Sequence, residues 1–107
     1  MNKIGDVLVS RNDLTGALAR YEEGLEIARR LMAADPSHAE HARDVFVSLA
    51  RLGMTRGQDG DAGAACAAFA EAKTIVEPLA KAAPDNHQRQ QDLAWIVQTM
   101  EEAGCKG

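Results

Sequence analysis

Three histidines offer the most direct chemistry in this 107-residue chain. His38 and His41 stand one helical turn apart with Glu40 between them, and His87 opens a later segment. Two imidazoles at that spacing suit a metal ion, but a complete site takes three or four ligands. The reading with fewer demands is three solvated histidines at helix starts. Asp59-Gly60-Asp61 has the look of a calcium-loop opening without the later ligands or the closing glutamate. A helix-to-helix turn with an N-cap accounts for it. Ser10, Ser37 and Ser48 have ordinary neighbours, and neither a phosphate-cradling glycine loop nor a paired-carboxylate site is present. Neither catalysis nor a bound metal or cofactor is expected of this segment.

The elements that would carry any site are helices, and they come in copies. Residues 4–36 return without a gap as residues 52–84, an offset of 48. Gly5, Asp13, Ala17, Ala19, Glu23, Ile27, Leu31, Ala34 and Pro36 recur as Gly53, Asp61, Ala65, Ala67, Glu71, Ile75, Leu79, Ala82 and Pro84. Tyr21 recurs as Phe69. A fixed period of this size marks stacked-repeat architecture. Apolar or small residues at Leu14, Ala17, Leu18, Tyr21, Leu25, Ala28 and Leu31 draw one stripe along a helix, with Arg20, Glu22, Glu23, Glu26, Arg29 and Arg30 opposite. Asp13 and Asp61 read as N-caps. Ser37 with Glu40 reads as a capping box, altered in the next copy to Asp85 with Gln88. Pro36 and Pro84 stop the helices before them. Pro78 falls inside a helix and predicts a kink rather than a break, because the apolar spacing runs on to Leu79. Five helices are expected, over roughly 2–11, 14–34, 38–56, 62–82 and 87–103.

Composition bounds the rest. Apolar residues make up 46% of the chain and aromatics 4%, which suits helices packed through small side chains. The net charge of −4 with mixed signs gives no basic block for nucleic acid or an anionic membrane. No apolar run reaches the ~20 residues that span a bilayer. Cys66 takes the place of Leu18 inside a helix and Cys105 lies near the end of the sequence. They read as a buried thiol and an exposed tail thiol, which points to a reducing, cytoplasmic setting.

Ile4-Gly5, Leu8, Ala17, Tyr21 and Pro36, then Leu52-Gly53, Ala65, Phe69 and Pro84, resemble the tetratricopeptide repeat. The stretch IGDVL to DP is similar to long-helix versions in large bacterial repeat proteins. The resemblance implies antiparallel helix-turn-helix units stacked in a right-handed superhelix within one domain, 1–107. Repeat one covers 3–36 and is truncated at its start, repeat two covers 37–84, and residues 85–104 form the last helix of an incomplete third repeat. Arg56 where Leu8 stood, Glu101 where the glycine belongs, and a period longer than the family's usual one depart from the pattern. The truncated start suggests a chain cut from a longer protein.

The resemblance further implies a concave groove lined by the first helix of each unit. Its positions here are Asn2 and Asp6, then Val47, Ala50 and Met54, then Trp95, Gln98 and Glu102. Val47, Met54 and Trp95 would form an apolar strip with Asp6 and Glu102 at its edges, since Met and aromatic side chains are typical anchors. Trp95 as an ordinary core residue against the preceding long helix is the competing reading. Of the residues that clamp a terminal carboxylate only Asn2 has a counterpart, and the groove lacks the basic ones, so it suits a basic or amphipathic segment. The expected function is a protein-interaction scaffold, with no nucleic acid or membrane partner. A self-associating or spacer segment of a longer repeat protein, or a regulatory segment attached to an enzyme, are the alternatives.

Overall fold

Proline sets the long turns. In Asp35-Pro36-Ser37-His38 the last amide donates to the first carbonyl at 3.1 Å, and 48 residues on, Ala83-Pro84-Asp85-Asn86 repeats the bond at 2.9 Å. Proline at the second position of a four-residue turn fixes its φ and closes it. The computed structural model describes residues 11–105. Over them the chain is all-α: α1 (Arg11–Ala34), α2 (Ala39–Gln58), α3 (Ala62–Ala82) and α4 (His87–Glu102), with no strand among the described residues. The expected helix over 2–11, with Asn2 and Asp6, lies outside them.

The turns correct the expected caps by one residue. His38, not Ser37, precedes α2, and its side chain makes no cap bond. Ser37 Oγ instead donates to Asp35 Oδ1 at 2.9 Å. Asn86, not Asp85, caps α4 by accepting the Arg89 amide at 3.1 Å. In both cases the closing residue of the proline turn is the one left with the extended backbone a cap needs. Asp13 lies inside α1 rather than at its start. In the second copy Gly60, at φ +84°, separates the helices. The first copy has Asn12 there and no glycine to take the left-handed conformation freely.

Asp61 behaves as the sequence predicts, and it serves two helices. Its amide donates to Arg56 O at 2.9 Å while Gly60 donates to Gly57 O at 3.1 Å, the paired bonds of a Schellman stop for α2. Its Oδ1 then accepts from the Ala64 amide at 3.0 Å and starts α3. α3 runs through Pro78 without a break. Its last carbonyls are met by the first turns of α4: Gln90 Nε2 donates to Ala80 O and Ala83 O, and Arg89 to Leu79 O.

Consecutive helices pack on one another. Arg56 at the end of α2 pairs with Glu22 in the first half of α1, and Gly53 late in α2 meets Phe69 early in α3, so neighbours run antiparallel. Arg43 and Asp92 join the early turns of α2 and α4, which therefore run parallel. Val45, Leu49, Val76 and Ile96 are sealed at the centre. Of the described glycines, Gly53 has the closest neighbour: a Cβ there would stand 2.6 Å from Cε1 of the buried Phe69 ring.

The cysteines overturn the expectation of two separate thiols. Cys66 and Cys105 form a disulfide across a sequence separation of 39. The turn after α4 delivers Cys105 to it. Gly104, at φ +74°, donates to Glu101 O at 3.1 Å, and Cys105 donates to Met100 O at 2.9 Å, a second Schellman stop. That turn folds the tail back onto α3.

Two stability changes follow. Gly53→Ala lowers the urea unfolding free energy by roughly 1–3 kcal/mol despite alanine's better helix propensity, because overpacking outweighs it. Cys105→Ser lowers it by roughly 2–4 kcal/mol under oxidising conditions and leaves it unchanged in excess dithiothreitol, where the parent loses the same amount.

Candidate functional site

The parallel course of α2 and α4 places their side chains face to face along a seam. At its first end Arg43 Nε donates to Asp92 Oδ2 at 2.8 Å and its second nitrogen to Oδ1 at 3.2 Å. This two-point contact suits the planar guanidinium. Asp92 is only 8% exposed, so the pair is needed to hold a carboxylate in the interior. The hydrogen bond to Asp92 raises the Arg43 pKa above its ordinary value against the lowering effect of burial, and the charges of Asp92 and Asp44 add to the rise. Beside the pair is a cavity of about 180 Å³ bordered by Ala39, Glu40, Leu79 and Asn86.

One turn on, Phe46 of α2 and Trp95 of α4 meet edge to face, with ring centroids 6.3 Å apart and planes at 85°. Trp95 remains 40% exposed. It is therefore neither a sealed core residue nor a free-standing anchor. One side of the indole is held by Phe46 and much of the rest faces solvent.

At the far end the seam opens into a cleft of about 520 Å³. Met54, Gly53 and Gly57 of α2 form one wall and Thr99 and Glu102 of α4, with Ala103 just beyond its end, the other. Met54 is 50% exposed. The two glycines keep the wall from α2 low, and the buried Ala65 and Phe69 of α3 form the base. The disulfide lies at the same end, since Cys66 follows Ala65 and Cys105 stands two residues after Ala103.

Of the residues the sequence placed in a groove, the structure brings Met54 and Glu102 into one cleft. It sets Trp95 on the same face of α4, two turns from Glu102. Gln98 is exposed on that helix and donates to Glu102 Oε2 at 3.2 Å. Ala50 is a correction: it is buried, on the α2 face shared with Phe46 and Gly53 that turns inward. Val47 is half-buried against the core rather than open in a strip. Asn2 and Asp6 lie outside the described residues. Sequence reasoning missed Arg43, Asp92, Gly57, Thr99 and the Phe69 floor. A charge of each sign on helices one apart was the available signal for the first two, and helical spacing alone does not pair them.

His38 and His41 stack, with ring centroids 4.2 Å apart and planes within 12°. His41 Nδ1 is buried without a partner. Among the described residues no group of three or more His, Cys, Asp or Glu is arranged to hold a metal ion. Asp59-Gly60-Asp61 is the turn described above. No helix among the described residues is long and apolar enough to cross a membrane. No family model, curated protein or solved structure matches the chain.

The seam predicts an asymmetry between ion pairs. Arg43→Met leaves Asp92 buried without its partner and costs roughly 1–3 kcal/mol in denaturant unfolding. Arg30→Met, which removes the exposed pair with Glu26, changes stability by less than about 0.5 kcal/mol.

Proposed function

We propose that this chain is a protein-interaction scaffold of stacked helix-turn-helix units of the tetratricopeptide kind, coiled right-handed, and that its α2–α4 seam receives a helical or extended segment of a partner. The observation that carries the reading is the pairing of two exposed anchors, Met54 and Trp95, with an open cleft that has an aromatic floor. Exposed Met and Trp beside a concavity are the features that bury a partner's apolar side chains. The repeated proline turn and the Gly53–Phe69 approach support the stacked-unit part of the reading.

Glu102 on the rim, with Glu101 beside it, favours a segment that carries basic residues next to its apolar ones. The role proposed for the seam is binding, and no catalytic step is assigned to it. The expectation of a cytoplasmic setting rested on two unpaired thiols. The disulfide removes that support and favours an oxidising compartment, where such a bond persists.

A displayed library of random helical peptides tests this. Selected binders are rich in leucine and in lysine or arginine, and they shift the emission of Trp95, the only tryptophan. Met54→Glu and Trp95→Ala each weaken them at least ~10-fold, the scale of one lost anchor. Binders that hold wild type and the double variant equally would sink the reading.

A further inference from the structure

The two ends of the helical stack differ. On α4, the positions that match Phe46, Ala50 and Gly53 of α2 by the 48-residue offset are Ala94, Gln98 and Glu101. All three are exposed, and Glu101 stands where a close helix would need glycine. Those three positions carry small and polar side chains. The outer face of α1 differs. Ile27 is 52% and Leu31 44% exposed. Their counterparts on α3 are covered: Ile75 packs on the core, and Leu79 borders a cavity with Ala39 and Arg43 of α2. Gly24 lies on the same face. Its counterpart Ala72 is fully buried, whereas a Cβ on Gly24 would meet nothing within 4 Å. A glycine in the middle of a helix costs stability, and nothing within the described fold uses it.

The charges beside this face say what covers it. Glu22 pairs with Arg56 and Glu26 with Arg30, while Glu23 has no hydrogen bond or ion pair among the described residues. Its repeat counterpart Glu71 takes Arg29 from another helix. The Glu26–Arg30 pair is mostly solvated, so Arg30 gives it up cheaply. A shallow depression of about 410 Å³ runs between Glu22, Glu23, Glu26, Ile27 and Arg30. One face thus carries an acid in need of a cation, a cation two helical turns away, and two apolar side chains between and beyond them. This is a self-complementary set under two-fold symmetry.

We propose that α1 pairs with α1 of a second copy in an antiparallel two-fold dimer. Setting Glu23 of one copy level with Arg30 of the other fixes the register. Helical rise then places Ile27 between Gly24 and Ile27 of the second copy, and Leu31 between its Tyr21 and Gly24. Gly24 is what lets the two backbones approach. The α2–α4 seam stays uncovered, so the inference stands apart from the proposed function.

Sedimentation equilibrium of the full chain over a range of concentrations, at low and high salt, is the test. The expected result is a reversible monomer–dimer equilibrium that weakens as salt rises. Leu31→Glu gives a monomer of unchanged helix content by circular dichroism, since the residue is exposed. Glu23→Arg and Arg30→Glu each weaken the dimer about 10-fold, and the double exchange restores it. A monomer at every concentration overturns the proposal. So does a dimer indifferent to Leu31→Glu, or a double exchange that is no better than the single changes.

Discussion

Phe69 lies against the bare backbone of Gly53, and the geometry of the molecule is built outward from that contact. With no side chain at 53, α2 and α3 close on the ring itself rather than on each other's β-carbons. Their separation helps to set how far the first turns of α4, which packs on α3, sit from those of α2. At that distance Arg43 reaches Asp92 and Phe46 reaches the edge of Trp95. Farther along, where Gly53 and Gly57 leave one wall low, the cleft opens between the two helices. The same glycine therefore closes the core on Phe69 and lowers one wall of the candidate site.

Asp61 shows how little chain this architecture needs between helices. One residue ends α2 through its amide and begins α3 through its carboxylate. The proline turns solve the same problem differently, with a ring that fixes one torsion and a closing hydrogen bond that fixes the rest. Both solutions are local, which is why they are short, and both leave the helices antiparallel. The polar groups that remain at the end of α3 are met by Gln90 and Arg89, so the junction with α4 is sealed by side chains rather than by a longer loop.

Helix interiors were legible in the sequence because burial repeats at steps of three and four. Leu25 and Ala28 were marked by that spacing and Phe69 by its recurrence from Tyr21, and all three are core. The cap at Asp61 was legible because a glycine precedes it. The caps at His38 and Asn86 were missed because the proline turn, not the side chain's capping preference, chooses the residue. The disulfide was illegible for a geometric reason. Whether Cys105 meets Cys66 depends on α4 stopping at Glu102 and on Gly104 turning the chain back, and neither can be seen from a cysteine within a repeat and another beyond it. Within the candidate site, Met54 and Glu102 were named through the resemblance alone, and both line the cleft. Ala50, named in the same way, is buried, since a small residue fits equally well at a groove surface and beneath a neighbouring helix.

An array of helices that touch mainly their neighbours loses structure from its ends, one helix at a time. The turn at Gly104 and the bond beyond it change that at one end. A pull on residues following Cys105 is transmitted through sulfur to the first turns of α3, so it bypasses α4, which cannot be peeled away while the bond is intact. The chain is thus mechanically polarised. Load from the carboxyl side meets α3 and α4 as a single unit, whereas α1 is held to its neighbours by packing and ion pairs alone among the described residues.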